Sequence, residues 1–453
     1  MDTPDHVVVT GNGLPARLLV LHLHKAGLRT TWLRGSAASM PPAPDIDMMP
    51  MGGDDLLPML MHQSISAWRA FAADFEVPGL LRVGEVQDIA NSAGRVAMLR
   101  HEALLDAASG ENISYVSTPP AFADAAHVKG AKVWREATLL AADFEAQVQG
   151  LLDKAGLAGT AADAAGIDVA DPLRPRISLG NGEVLEASHV VLTGPAATAP
   201  LLKRMGLVLP LRPARGHVLR LVCKAAHGLP LVIHRLKRGH MFVIPQDDTT
   251  VVLHYNAIAD PSQATYGRRP SPELVKALQQ HAAELIPALR GATLERVDTV
   301  THWLTPDYLP ALGLWPGLDK IVVGMGFAGR DNGYAAGSAR ILMDILTQGK
   351  NPMGMNAIAP NRFAGGAWKA VEGPGSLMWD NAQILAVDVA MAGGAEASYM
   401  DKVTMVDPPA PRYASTVNQV EKTIMGGHKT MQVEQTRPGK SKIVMAPVKP
   451  SDT

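Results

Sequence analysis

Gly11-Asn12-Gly13-Leu14-Pro15-Ala16 follows the β-branched run Val7–Thr10 and precedes a stretch that reads as a helix. Glycines at the first and third positions of this turn allow a tight bend and a close backbone approach to a pyrophosphate. The helix N-terminus that follows meets the phosphate charge. Ala16 is small enough for close helix–strand packing, and Pro15 sits in the first helical turn, where its missing N–H costs little. With a second short strand at Thr30–Leu33, this unit predicts a dinucleotide site. Arg34 stands where such units carry an acidic residue that accepts hydrogen bonds from the adenosine ribose. Arginine has no acceptor. Either the ribose is held otherwise, by backbone or water, or the site has lost its adenosine grip; Arg34 itself meets a 2′-phosphate as in NADP sites or points to solvent.

The elements around this turn read as an α/β chain. Leu18, Leu19, Leu21 and Leu23 make the first helix apolar, and Gly27 sits where a C-terminal cap belongs. His22 and His24 point about 200° apart on that helix and cannot form an i, i+4 metal pair. Residues 36–60 are rich in Pro, Gly and Met and read as loop, followed by a helix around "HQSISAWRAFAADF". Alternation around Asn181-Gly182 predicts a hairpin, and "SHVVLTG" reads as a buried strand. Residues 206–257 hold several strand candidates, then "SPELVKALQQHAAELIPAL" reads as a helix. Strand, Gly-rich turn and helix recur over residues 319–350, with Ile341, Leu342, Ile345 and Leu346 on one helical face.

The bulk numbers fit a globular protein: 453 residues, 47% hydrophobic, 19% charged and a net charge of −1. No global field points to nucleic acid or an anionic membrane. Cys223 is the single cysteine, which excludes a disulfide framework or a CxxC site and reads as a core residue. No apolar run is long enough for a membrane span, and the acidic start "MDTPDH" predicts no signal peptide. A cytoplasmic setting and no metal are expected. From Pro409 onward seven Lys/Arg stand against three Asp/Glu, so the last 45 or so residues read as an extended arm, with one helix expected earlier at "NAQILAVDVAMAG".

Four stretches in order resemble the D-amino-acid oxidase, glycine oxidase and sarcosine oxidase superfamily of FAD-dependent oxidoreductases. They are the opening unit, "ASHVVLTGPAATAPLLKRMG" (187–206), "LPLRPARGHVLRL" (209–221) and "THWLTPDYLPALGLWPGLDKIVVGMGFAGRDNGYAAGSARILMDIL" (301–346). The resemblance spans roughly residues 6–350. It implies a discontinuous Rossmann-like FAD-binding domain (1–60, 126–206 and 301–350). It also implies a substrate domain built on an antiparallel sheet (61–125 and 207–300), leaving 351–453 as a mostly non-globular extension. It places Gly11, Gly13 and Ala16 at the pyrophosphate, Thr193 and Gly194 at the adenosine half, and Gly324, Gly326, Gly329 and Gly333 near the flavin. The cofactor would be FAD, bound without a covalent link because no cysteine lies near Thr305.

The chain also departs from that pattern. His302 occupies the position where amino-acid-oxidising members carry an arginine for the substrate carboxylate. Phe242 replaces a common tyrosine, and His254 replaces a glycine in "LHYNA". A histidine facing a flavin can bind an anion when protonated or act as a base near neutral pH, so His302 and His254 are the tentative catalytic residues. Tyr255, His240 and Arg215 are weaker candidates. The leading expectation is hydride transfer to flavin from a C–N bond of a small amine, imino acid or amino-acid-like substrate. The alternative is a flavin-binding or flavin-free subunit of a complex whose C-terminal arm, within 351–453, binds protein partners. An NADP-dependent reductase rests on Arg34 alone.

Overall fold

The computed structural model describes residues 4–35, 56–108, 112–207, 209–224, 226–236, 239–257, 270–305, 309–349, 358–363, 429–437 and 440–447. The chain divides into two compact units, Met1–Val406 and Asp407–Thr453. Elements are numbered in chain order.

The first sheet of the large unit runs in the order β15 (Ala311–Trp315), β16 (Leu318–Met325), β9 (His189–Leu192), β1 (Val7–Thr10), β2 (Thr30–Leu33). All neighbours are parallel except the edge strand β15. Val7, Val8, Val9, Val190, Val191, Val322 and Val323 have no exposed surface, as expected of parallel strands covered on both faces. One face packs on α1 (Leu14–Lys25), α2 (Leu56–Asp74), α4 (Phe144–Lys154) and α7 (Asp331–Gln348). The other packs on α5 (Pro195–Arg204) and a small sheet of β6 (Ala164–Asp168), β7 (Arg176–Leu179) and β8 (Val184–Glu186). The β7–β8 hairpin turns at Asn181-Gly182, with Gly182 at φ 86°.

The second sheet has eight strands, ordered β14 (Thr293–Leu304), β10 (Arg212–Val222), β13 (Thr250–Ala257), β12 (Gly239–Pro245), β11 (Leu231–Leu236), β3 (Leu81–Ala90), β5 (Gly130–Leu140), β4 (Ile113–Val116). Strand alternation splits its side chains into two apolar faces. Leu219, Leu221, Val243, Leu253 and Tyr255 pack under α6 (Pro272–Leu285). Val86, Val218, Ile233, Phe242, Val252 and Val300 line the opposite face. Ser271 caps α6 by accepting a hydrogen bond from the Leu274 amide at 3.2 Å, and a short 3-10 turn, Pro287–Leu289, follows the helix. Cys223 is buried, its thiol 3.0 Å from the Ala288 carbonyl.

Two segments sit differently from the expected boundaries. The resemblance implies residues 126–206 in the FAD-binding domain, yet within them β5 pairs with β3 from Leu81↔Leu140 to Ala90↔Gly130 and so belongs to the second sheet. Helix α2, placed from residue 61 with the second sheet, packs on α7 instead. A Cβ on Gly337 would lie 2.9 Å from Ser64 Cα, and Ser64 Oγ donates to the Gly333 carbonyl while accepting from the Gly337 amide. The small residues of α7 are what let the two backbones come this close.

An ion network ties α3 (Ala93–Ala108) to the second sheet. Arg95 donates to both Asp88 carboxylate oxygens at 3.0 and 2.9 Å. Arg235 reaches Asp88 at 3.1 Å and clamps Glu102 at 3.0 and 2.8 Å. Lys132 bonds Glu102 at 3.1 Å and Asp106 at 2.9 Å.

In the second unit, β17 (Lys429–Arg437) and β18 (Lys440–Pro447) form an antiparallel hairpin where an extended arm was expected. The helix expected at "NAQILAVDVAMAG" and most of 351–453 lie outside the described residues. Deleting residues 409–453 is expected to leave the melting transition of the large unit in place. Calorimetry of the truncated chain checks this, and a collapsed transition would make the arm part of the core.

Candidate functional site

The parallel strands β1, β9 and β16 all end on the same side of their sheet, at Thr10, Leu192 and Met325. Open α/β sheets bind ligands outside such carboxyl ends. Gly11 leaves β1 at φ 108°, and a Cβ there would lie 2.5 Å from Thr193 Oγ1 and 2.7 Å from the Gly194 amide nitrogen. Only glycine fits this crossing. Thr193 clasps β1 from the other side, its amide and hydroxyl both donating to the Thr10 carbonyl. The Gly11 amide donates to Leu33 O at 2.8 Å, and the Trp32 indole donates to Gly11 O at 2.8 Å, so the turn is locked to the end of β2.

Gly13 is different. A Cβ on it would have Pro15 Cδ at 3.6 Å as its nearest neighbour, so this face of the turn is open. Gly13 caps α1 with no side-chain hydrogen bond, and the first turn holds no acidic residue. An uncapped helix N-terminus with an open glycine in front of it suits an anionic pyrophosphate. Ala16 is fully buried behind it.

Arg34 is not free in solvent. A Cβ on Gly159 would lie 2.8 Å from Arg34 Cγ, and the guanidinium is 5.9 Å from the Trp32 ring centroid. Its amide donates to Thr160 O at 2.9 Å, while its Nε is buried without a hydrogen-bond partner. An unsatisfied donor beside the glycine turn is a place for a ribose or phosphate oxygen.

A second turn follows β16. Gly326 (φ 80°), Ala328 (φ 55°) and Gly329 (φ 83°) all take left-handed backbone and bring the chain into α7, whose N-cap, Arg330, makes no side-chain capping bond. This turn is tied to the second sheet by the Leu304–Phe327 bridge and by the Ala328 amide donating to Trp303 O at 3.1 Å. Gly324 lies two residues before Gly326, within β16, packed against Leu342 and Leu312 of the core, with room for no Cβ (2.9 Å to Leu342 Cδ1). Its small size therefore serves helix–sheet packing. Gly333 lies inside α7, and its carbonyl accepts from Ser64 and Trp68. Pro306 and Asp307 of the Thr-Pro-Asp stretch lie outside the described residues.

The second sheet brings His302 and His254 together. Ala214 of β10 pairs with His302, and Val218 of the same strand pairs with His254. The two rings are 5.7 Å apart, with Phe242 5.8 Å beyond His254 and His240 5.9 Å beyond Phe242. Gly216 lies between the histidines: a Cβ there would meet His254 Nε2 at 2.7 Å and His302 Nε2 at 2.9 Å. Both imidazoles are buried, and three of their ring nitrogens, His254 Nδ1 and Nε2 and His302 Nε2, have no hydrogen-bond partner among the described residues. Burial, reinforced by His302 and His217, holds His254 well below the usual imidazole value, so it is neutral at pH 7. His302 Nδ1 lies 3.9 Å from Asp331 Oδ2, at the start of α7. Tyr255 faces the α6 side of the sheet, stacked against His217.

Gly216 and Asp331 were not singled out from the sequence. A glycine inside the strand "RPARGHVLRL" was the available signal for a close approach. Nothing in the local sequence places Asp331 beside His302.

Residues 20–345 match the model of the DAO family, described as FAD dependent oxidoreductase. A glycine oxidase of Pseudomonas putida is 30% identical over 169 residues, covering 36% of this chain and 43% of that enzyme. A D-amino acid dehydrogenase of Paramagnetospirillum magneticum is 26% identical over 202 residues, covering 42% of this chain and 44% of that enzyme. The matched stretches thus span less than half the length of these relatives. Among solved structures, glycine oxidase from Geobacillus kaustophilus superposes with a TM-score of 0.68 at 20% identity, over 80% of this chain and 99% of that one. L-Proline dehydrogenase from P. horikoshii does so with a TM-score of 0.67 at 18% identity, over 80% and 98%. These structures share the two-sheet fold. A family match across most of the chain, on a fold whose glycine turns and uncapped helix ends fit a dinucleotide, makes this protein a member of the DAO family of FAD-dependent oxidoreductases, with FAD as its cofactor.

Proposed function

We propose that the chain oxidises a C–N bond of a small amine, imino acid or amino-acid-like substrate by hydride transfer to FAD held without a covalent link. The observation that carries this reading is the buried His254/His302 pair, whose unpartnered nitrogens border Gly216 on the sheet that is tied to the 326–331 turn. In this reading Gly11, Gly13 and Ala16 hold the pyrophosphate, with Arg34, Thr193 and Gly194 at the adenosine half. Gly326 and Gly329 bring backbone to the flavin half, while Gly324 and Gly333 set the position of α7. The flavin supplies the electron sink, and the protein supplies binding, orientation and electrostatics. The relatives named glycine oxidase and D-amino acid dehydrogenase, and the solved iminodiacetate oxidase of the same fold, favour an amino-acid-like class.

Anaerobic mixing with a panel of amines, imino acids and amino acids tests it. At least one member is expected to bleach the visible flavin bands with release of an imine-derived carbonyl product. A flavin that no C–N compound reduces, yet a hydroxy acid or nicotinamide does, would overturn the reading. Among the described residues no helix is long and apolar enough to cross a membrane.

A further inference from the structure

The His254/His302 pair is not symmetric. Among the described residues, the titratable groups that act on His254 are imidazoles: His302, His217 and His240 all disfavour a proton on it. His302 has a carboxylate. Asp331 Oδ2, 3.9 Å from His302 Nδ1, is the only carboxylate at ion-pair distance from that ring among the described residues. A carboxylate on the Nδ1 side favours the tautomer with hydrogen on Nδ1, which leaves the Nε2 lone pair free. That Nε2 is the unpartnered nitrogen, beside Gly216.

We infer that Asp331 and His302 form a proton-accepting dyad, in which Asp331 holds the Nδ1–H and His302 Nε2 takes a proton from the ammonium group of the substrate. The inference rests on the proposed amine oxidation. At neutral pH most alkyl amines arrive as ammonium ions, whose nitrogen has no lone pair to assist hydride loss. His302 Nε2 gains the N–H proton and the free amine remains. With FAD held at the glycine turns as hydride acceptor, the α-hydrogen would leave with two electrons, and the nitrogen lone pair would form the C=N bond of the iminium product. His302 returns its proton to solvent after the product departs. The 3.9 Å separation is an ion-pair distance, and such contacts close up when substrate binds. His302 is the catalytic residue here, and Asp331, half-exposed and reaching no substrate itself, is the positioning residue.

The charged surroundings are defined. His254 faces His302 from β13, and His240 lies farther along from β12. Asp331 and Arg330 come from the start of α7, and Gly216 of β10 is uncharged. Asp298, farther down β14, is paired with Arg296 at 2.7 Å. Arg235, opposite His240 on β11, is held by Asp88 and Glu102.

The test uses the FAD-loaded full chain and two variants, His302→Gln and Asp331→Asn. The pH dependence of anaerobic flavin reduction is read at saturating substrate, where the free substrate's own ionisation does not enter. The wild type is expected to lose rate tenfold per pH unit on an acid limb. His302→Gln is expected to lose the limb and on the order of a hundredfold in rate. Asp331→Asn frees the imidazole to take either tautomer, so flavin reduction is expected to slow on the order of tenfold, with KM nearly unchanged. Nitrogen NMR of histidine-labelled protein supplies a readout independent of turnover: the Nδ1–H tautomer for His302 in the wild type, and a mixture in Asp331→Asn. An acid limb retained in His302→Gln, an Asp331→Asn rate equal to that of the wild type, or His302 in the Nε2–H form would overturn the dyad. If no amine reduces the flavin but the tautomer is as expected, the substrate reading and the proton transfer from ammonium fail, while the orientation of His302 by Asp331 stands.

Discussion

An Asp88→Ala variant is expected to lose about 3–5 kcal/mol of stability, because it leaves buried guanidinium groups without their counter-charge. Asp88 and Arg95 are nearly inaccessible, with side chains 1% and 4% exposed, and Arg235 and Glu102 complete the cluster. Burial alone would raise the Asp88 carboxyl. Arg235, then Arg95 and Lys132, outweigh it and hold the group at about 2. The folded value thus lies below the unfolded value of about 3.9. The stabilisation is present above pH 4 or so and is lost as pH falls through 2. The wild type should therefore shed about 2 kcal/mol over that window, and Asp88→Ala should not. Urea unfolding at a series of pH values measures both effects. The exposed Arg174–Glu186 pair is the control: Arg174→Ala should change nothing measurable, since both partners are in water. Equal effects from the two variants would mean the buried network does not hold α3 to the sheet.

The second large effect separates two glycines two positions apart in the same motif. Gly11→Ala meets a left-handed φ of 108° and a backbone nitrogen of Gly194 2.7 Å from the new Cβ. Neither can yield without parting β1 from β9, so a cost of about 3 kcal/mol is expected, with FAD lost along with the fold of the turn. Gly13→Leu has no such neighbour inside the protein. Its apoprotein should melt like the wild type, while FAD affinity falls on the order of 100-fold, about 3 kcal/mol. Thermal melts of the apoproteins and fluorescence titration with FAD distinguish the two. Unchanged FAD affinity in Gly13→Leu would remove the pyrophosphate from that place.

What was legible in the sequence follows the range of the contacts involved. The β1–turn–α1–β2 unit, the β7–β8 hairpin and α6 are encoded within a few residues by glycines, a Ser-Pro start and apolar periodicity. The partner of β5 is not, because Leu140 pairs with Leu81 and nothing within "GAKVWREATLL" names that strand. The packing of α2 on α7 depends on Ser64 meeting Gly333 and Gly337, some 270 positions away, and was unreadable for the same reason. At the site, His302 and His254 could be singled out by residue type, but their approach to each other needs the β10–β13 and β10–β14 registers and the absent side chain of Gly216. The family resemblance places Gly324 near the flavin with Gly326 and Gly329, and its second demand, a bare Cα against Leu342 of α7, is a contact the local sequence does not name.

The most direct measurement of the central claim is the visible absorption spectrum of the purified chain, followed by denaturation and identification of what is released. The account predicts flavin bands and stoichiometric free FAD in the supernatant, as the proposed non-covalent site with Arg34 at the adenosine half requires. A colourless chain that takes up no FAD on reconstitution would contradict it.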